Sequence, residues 1–195
     1  MHCSIIIAYD EVTVTTRKTG GQGLKTKAGY PARVVFKTKV GWVAVLTSEK
    51  GLKRITFPQP TAMQARKTLG AEMPDAPDIT LFINTINRLK AYFLSKKTTF
   101  PDVCNLSEAT PFQRRVWEIT RRIPYGETRS YRWVAAQMGK ENAARAVGQA
   151  LAKNPIPIII PCHRVLTSTG SLGGYSGGLG WKSFLLKLER KDATS

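Results

Sequence analysis

Cysteine and histidine are both scarce in this chain, and acid is scarcer than base. Cys3, Cys104 and Cys162 are three in number and far apart. No disulfide framework is expected from them, and no Cys-x-x-Cys pair is present to start a zinc ribbon or redox motif. His2 and His163 are the only histidines. A structural zinc site would need ligands from scattered places, so no metal is expected, and any hydrolase chemistry at a cysteine would rest wholly on His163. Free thiols suit a reducing compartment, cytoplasmic or, in a nucleated cell, nuclear. Long apolar runs are missing too. Ile5 to Ile7 is followed by Asp10 and Glu11, too soon for a signal-peptide core. Nothing downstream reaches the length of a membrane span, so no membrane role is expected.

What is present is a folded, strongly basic protein. At 195 residues and 42% hydrophobic content the chain can bury a core, as one unit or as two small domains. Thirty basic side chains against 13 acidic ones give a formal net charge of +17. That excess makes a polyanion the default partner, nucleic acid ahead of an acidic membrane surface. The charge is not confined to a tail: residues 1–110 carry 16 Lys/Arg and 8 Asp/Glu, residues 111–195 carry 14 and 5.

Residues 1–11 read as a short edge strand, and 12–39, with seven Lys/Arg and no acid, as a basic arm or irregular loop. Strands are expected over Val34–Lys39, Gly41–Thr47 and Leu52–Phe57, joined by turn chemistry such as Ser48-Glu-Lys-Gly51, in an antiparallel hairpin or meander. Thr61–Leu69 reads as a helix closed by Gly70, Ala71–Asp78 as a loop, and Ile79–Ser95 as an amphipathic helix. Thr99–Ala109 then connects to a second domain, with Thr110 as cap and Pro111 at the first helical position. Phe112, Val116, Trp117 and Ile119 mark one apolar helix face. Ser130 caps a second helix running through Met138, and Asn142 caps a third over Ala143–Ala152. The last two helices and their tight joint form a helix-turn-helix pattern, or an ordinary helical hairpin. Arg145 is exposed on the third helix, which is otherwise rich in small residues. The domains expected are therefore 1–107, a sheet with helices, and 108–195, mainly helical: an α/β (α+β) fold.

The chemistry gathers at Ile156-Pro-Ile-Ile-Ile-Pro-Cys-His-Arg-Val165. Pro161 stiffens the turn before Cys162, which is either a buried structural cysteine or a nucleophile beside its base. A thiolate is stabilised by a neighbouring base or positive charge, and His163 and Arg164 are adjacent, although side chains next to each other usually point apart. A working imidazole also needs a carboxylate, and Glu189 on the closing helix Trp181–Glu189 is a candidate. That helix should turn Trp181, Phe184, Leu185 and Leu188 inward. The glycine-rich run between Gly170 and Gly180 is no phosphate loop; it is a wall of backbone donors around a flat ligand or a plain surface loop.

Pro161-Cys-His-Arg-Val165, with Asn154-Pro-Ile-Pro157 before it and Tyr175-Ser-Gly-Gly178 after it, resembles the O6-alkylguanine-DNA alkyltransferases. Pro124-Tyr-Gly-Glu-Thr128, Ser130-Tyr131 and Ala143-Ala-Arg-Ala-Val-Gly148 extend the resemblance over residues 108–190. It implies a winged-helix-like second domain, no cofactor, and a monomer that binds double-stranded alkylated DNA through the minor groove and phosphates. Cys162 would accept the alkyl group from O6-alkylguanine, or from O4-alkylthymine, once and irreversibly. His163 would act through a water as its base, and Glu189 would orient His163. Tyr131 would press on the target phosphate and donate to N3 of the flipped base. Arg145 would fill the vacated place in the duplex, and Asn154 would brace the turn. Pro157 and Tyr175 would flank the base, whose edge would meet the backbone at Cys162, Val165, Ser176 and its neighbour Gly177. The rival reading is a lesion sensor or general DNA-binding module that accepts nothing. The zinc ligands that some members carry are missing here, and the resemblance does not account for the segment 12–39.

Overall fold

The computed structural model describes residues 32–70 and 82–190. The expected edge strand, most of the basic arm, the loop after Gly70 and the start of the second helix lie outside them, as do His2 and Cys3.

The described chain forms two compact units, one holding the residues up to Leu94 and Phe100–Asn105, the other Ser95–Thr99 and the chain from Leu106 onward. In the first, β1 (Arg33–Thr38), β2 (Gly41–Ser48) and β3 (Gly51–Ile55) make an antiparallel sheet in that order. Val35 pairs with Ala44, and a register shift falls between Leu46 and Thr47. Valines and other β-formers fill both faces of β1 and β2, so these two read as apolar runs, whereas β3 sets Lys53 and Arg54 between buried Leu52 and Ile55. Helix α1 (Ala62–Leu69) lays Ala65 and Leu69 on Val35, Ala44 and Leu46. Helix α2 (Ile83–Phe93) packs along β1 and buries Ile86, Leu89 and Phe93.

The segment expected only to connect does more. Leu52 N–H donates to Val103 O at 2.8 Å and Asn105 N–H to Leu52 O at 2.7 Å, so the chain runs alongside β3. Asp102 accepts from Thr85 and, at 2.7 Å, from Arg88 on α2. Gly51 is required at the crossing: its φ is +118°, and a Cβ would stand 2.3 Å from Val103 O.

The second unit opens with α3 (Pro111–Arg121). Thr110 and Gln113 form a reciprocal capping box, with Pro111 in the first turn. Val116, Trp117 and Ile119 are buried, and Phe112 is half-buried under Lys140. Ser130 caps α4 (Tyr131–Ala136), which ends two residues before Met138. Asn142 is not a cap: a 3-10 turn, Glu141–Ala143, leads directly into α5 (Ala144–Ala152), and no side chain caps it. Trp117 donates its indole N–H to Ala150 O at 3.0 Å, fixing α5 on α3. Two-residue strands β4 (Arg129–Ser130) and β5 (Val165–Leu166) pair in parallel.

Helix α6 (Leu179–Arg190) begins earlier than its apolar stripe suggests. Trp181 and Phe184 are half-buried and stack edge to face at 5.4 Å. The fully buried positions are Leu185, Leu186 and Leu188 together with Lys182 and Glu189. The fold is thus a small sheet-and-helix domain followed by a mainly helical helix-turn-helix domain.

Candidate active site

Asn154 follows α5 and holds the apolar stretch by both ends. Its Oδ1 accepts from Ile156 N–H at 3.0 Å, and its Nδ2 donates to Ile160 O at 2.9 Å. The same Nδ2 reaches Cys162 Sγ at 3.1 Å. After Pro161 the chain makes one 3-10 turn, Cys162–Arg164, in which all three side chains are buried. Three residues per turn send successive side chains in different directions. The thiol reaches Asn154 and the Tyr175 hydroxyl (3.7 Å), whereas the imidazole reaches Glu189.

Glu189 is 1% exposed, not a solvated helix end. His163 Nε2 lies 2.7 Å from its Oε1, Arg164 Nε and Nη2 donate at 2.9 Å each, and the Gly126 amide donates to Oε2 at 2.9 Å. Arg164 also donates to Ile123 O at 2.6 Å. Burial works to raise the Glu189 carboxyl, but the hydrogen bonds and charges of His163 and Arg164 outweigh it and hold it at about 2. Burial lowers His163 despite Glu189, so the imidazole is neutral near pH 7 and able to take a proton. Burial raises the Cys162 thiol, while Asn154, Tyr175 and the charge of Lys182 oppose it.

Lys182 was not foreseen. Its side chain is fully buried and donates to Val165 O at 2.6 Å, to Leu172 O, and to Tyr131 OH at 3.3 Å. The ammonium lies 5.4 Å from the Tyr131 ring centroid and 5.6 Å from that of Tyr175. Burial pushes it down to about 8, with the charge of Cys162 working the other way. Tyr131 donates its hydroxyl to Gly174 O at 3.2 Å, and burial followed by the charge of Cys162 raises its phenol. Its ring fits between two glycines. A Cβ on Gly148 would stand 3.7 Å from it, and one on Gly173, already at φ +64°, would stand 3.3 Å from its hydroxyl.

Two clusters thus meet at the Cys162–Arg164 turn: Cys162 with Asn154 and Tyr175, beside Lys182 and Tyr131, and His163 with Glu189 and Arg164. Pro157 is buried in the stretch before the thiol, and Val165 begins β5 with its carbonyl taken by Lys182. Arg145 is exposed on α5, Ser176 is exposed on the glycine-rich loop, and Gly177 beside it is half-exposed. Spacing alone carried a signal for Lys182: it shares a helix face with Leu185, Leu186 and Glu189, placing a cation and an anion on an apolar stripe. Among the described residues, no three His, Cys, Asp or Glu gather to hold a metal ion. No helix there is long and apolar enough to cross a membrane.

Residues 111–191 match the family model described as the 6-O-methylguanine DNA methyltransferase DNA-binding domain. The methylated-DNA–protein-cysteine methyltransferase of Methanosarcina acetivorans is 41% identical over 157 residues, 80% of this chain and 96% of that one. That of Mycobacterium tuberculosis is 49% identical over 117 residues, 60% and 70% of the two chains. A crystal structure of Mycobacterium tuberculosis OGT in complex with DNA superposes with a TM-score of 0.68 at 37% identity, covering 80% of this chain and 91% of the other.

Fold and site together define a DNA-binding transferase whose acceptor is a thiol of its own chain. The chain belongs to the methylated-DNA–protein-cysteine methyltransferase family. It repairs DNA directly: with the damaged base turned out of the duplex, the alkyl group passes from O6-alkylguanine to a buried cysteine of the protein, once and irreversibly.

Proposed function

We propose that Cys162 is the acceptor. The observation that carries this is a buried thiol that accepts from Asn154 Nδ2, donates to the Tyr175 hydroxyl and is followed, in the same turn, by an imidazole fixed on an ionised carboxylate. His163 donates Nε2–H to Glu189, which leaves Nδ1 as the base nitrogen, and takes the thiol proton through a water. The thiolate attacks the alkyl carbon, a carbon–sulfur bond forms, and the carbon–O6 bond breaks with its electron pair going to guanine. Donors near the base, the Tyr131 hydroxyl at N3 and the Ser176 amide at O6, stabilise the departing anion. The resulting thioether has no hydrolytic partner among the described residues, in keeping with single use.

Pro157 and Tyr175 flank the flipped base, and its edge meets backbone at Val165, Ser176 and Gly177. Helix α5 enters the minor groove with its small residues and sends exposed Arg145 into the place the base leaves, while basic side chains of this unit contact phosphates. The protein acts as a monomer. The reaction to run is transfer from a duplex containing O6-methylguanine, followed by intact mass and peptide mapping. One methyl group on the Cys162 peptide, in step with restored guanine, is the expected result; DNA binding with an unmodified protein would instead favour a lesion sensor.

Arg145→Ala is expected to react normally with free O6-alkylguanine base but about tenfold or more slower on duplex DNA, because a few kcal/mol of lost stacking is then less well offset. Single-turnover rates on the two substrates check this, and an equal loss on both would remove the finger role.

A further inference from the structure

Two non-glycine residues among those described have positive φ, Ser95 at 60° and Ile158 at 75°. Ser95 is small and polar. Ile158 is β-branched, and its branched Cβ crowds the backbone severely in the left-handed region. It is also 1% exposed, between Pro157 and the buried pair Ile159 and Ile160. A glycine would meet the turn's backbone requirement without strain. Isoleucine meets it only because its surroundings enforce it.

Those surroundings are explicit. Ile160 N–H donates to Ile156 O at 2.9 Å and closes the turn around Ile158. Asn154 holds the two ends, accepting from Ile156 and donating to Ile160 O. Cys162 N–H donates to that same Ile160 carbonyl at 2.8 Å, and Asn154 Nδ2 touches Cys162 Sγ. The left-handed residue therefore lies one residue from Pro157 and is linked through a single carbonyl to the thiol.

We propose that Ile158 is a positioning residue for alkyl transfer: its buried side chain locks a left-handed turn that fixes the Ile160 carbonyl, and through it Asn154 and the Cys162 backbone. With the side chain seated, the backbone has no second conformation to visit, so Asn154 and the nucleophile keep one spacing. The inference rests on Cys162 as acceptor.

The test compares Ile158→Ala with Ile158→Gly by urea unfolding and by single-turnover transfer from saturating O6-methylguanine duplex. Both variants lose the buried side chain beyond Cβ, and glycine loses Cβ as well. At an ordinary backbone position glycine would lower the folding constant by roughly two- to fivefold relative to alanine. Here Ile158→Gly is expected to fold at least as stably as Ile158→Ala, and both are expected to transfer about fivefold more slowly than the wild type with DNA affinity unchanged, because each lacks the side chain that holds the turn. A glycine variant less stable than the alanine one, or wild-type transfer rates in both variants, would overturn the proposal. Should neither variant fold, the wild-type protein decides. A strong intraresidue HN–Hα nuclear Overhauser effect at Ile158, in free and DNA-bound protein, is expected from positive φ, and a weak one refutes it. If the methyl group maps to a residue other than Cys162, the acceptor reading fails while the order of stabilities still reports on the turn.

Discussion

Replacing Glu189 by alanine is expected to destabilise the protein by roughly 3–5 kcal/mol and to slow alkyl transfer by about a hundredfold or more, two losses with separate causes. The stability loss comes from Arg164. It is 6% exposed and donates to Glu189 through Nε and Nη2, so removing the carboxylate strands a guanidinium away from water. The rate loss comes from His163, whose neutral tautomer and orientation depend on its 2.7 Å contact with Oε1.

The two causes can be pulled apart. Combining Arg164→Met with Glu189→Leu replaces the ion pair by apolar volume, which should restore part of the stability but none of the rate. Full transfer by Glu189→Ala would end the case for a carboxylate-oriented base. Acid provides a second check. The Glu189 carboxyl falls from its ordinary 4.5 to about 2 on folding, a displacement corresponding to roughly 3 kcal/mol. Because the folded value is the lower one, that stability is present above the ordinary carboxylate value and is lost as pH falls through it towards 2. Urea midpoints measured across this window should drop steeply for the wild type, while Glu189→Ala starts lower and loses less.

Much of this architecture is legible in the sequence, and the omissions share a cause. The meander could be read because Ser48-Glu-Lys-Gly51 is turn chemistry between apolar runs, and the helix starts because Thr61, Thr110-Pro111 and Ser130 are local capping signals. Asn142 offered the same kind of signal, yet a 3-10 turn supplied the joint without its side chain. The reading of α6 failed at individual positions. Hydrophobicity alone sends Trp181 and Phe184 inward, but they occupy a half-buried edge, and Lys182 takes the inner place. Charges are ordinarily assigned to the surface; a buried cation is satisfied only by groups far away in sequence, here Val165, Leu172 and Tyr131. Arg164 was visible beside Cys162, but its pairing with Glu189 is a tertiary fact. The motif sets Cys162, His163 and Arg164 side by side, and the structure supplies the charges that surround them.

Lys182→Met is expected to leave the protein at least as stable as the wild type at pH 7, yet roughly tenfold to a hundredfold slower in alkyl transfer. Methionine fills nearly the same volume and removes the cost of burying an ammonium that is 0% exposed. What disappears is the positive charge near the thiol and over the rings of Tyr131 and Tyr175. That charge favours the thiolate, and its hydrogen bond polarises the Tyr131 hydroxyl, the donor proposed for the leaving base. The pH profile separates this role from packing. Burial lowers the ammonium from 10.5 to about 8, so it is charged at pH 7 and mostly neutral at pH 9. Wild-type transfer should therefore decline above about pH 8, and the methionine variant should lack that decline. Stability runs the opposite way. Between about 8 and 10.5 the unfolded chain holds the proton more tightly than the folded one, so the wild type gains stability as pH rises through this window. The variant should show no such gain. A stable Lys182→Met protein that transfers at the full wild-type rate would reduce Lys182 to a packing residue and leave Asn154 and Tyr175 as the groups that hold the thiolate.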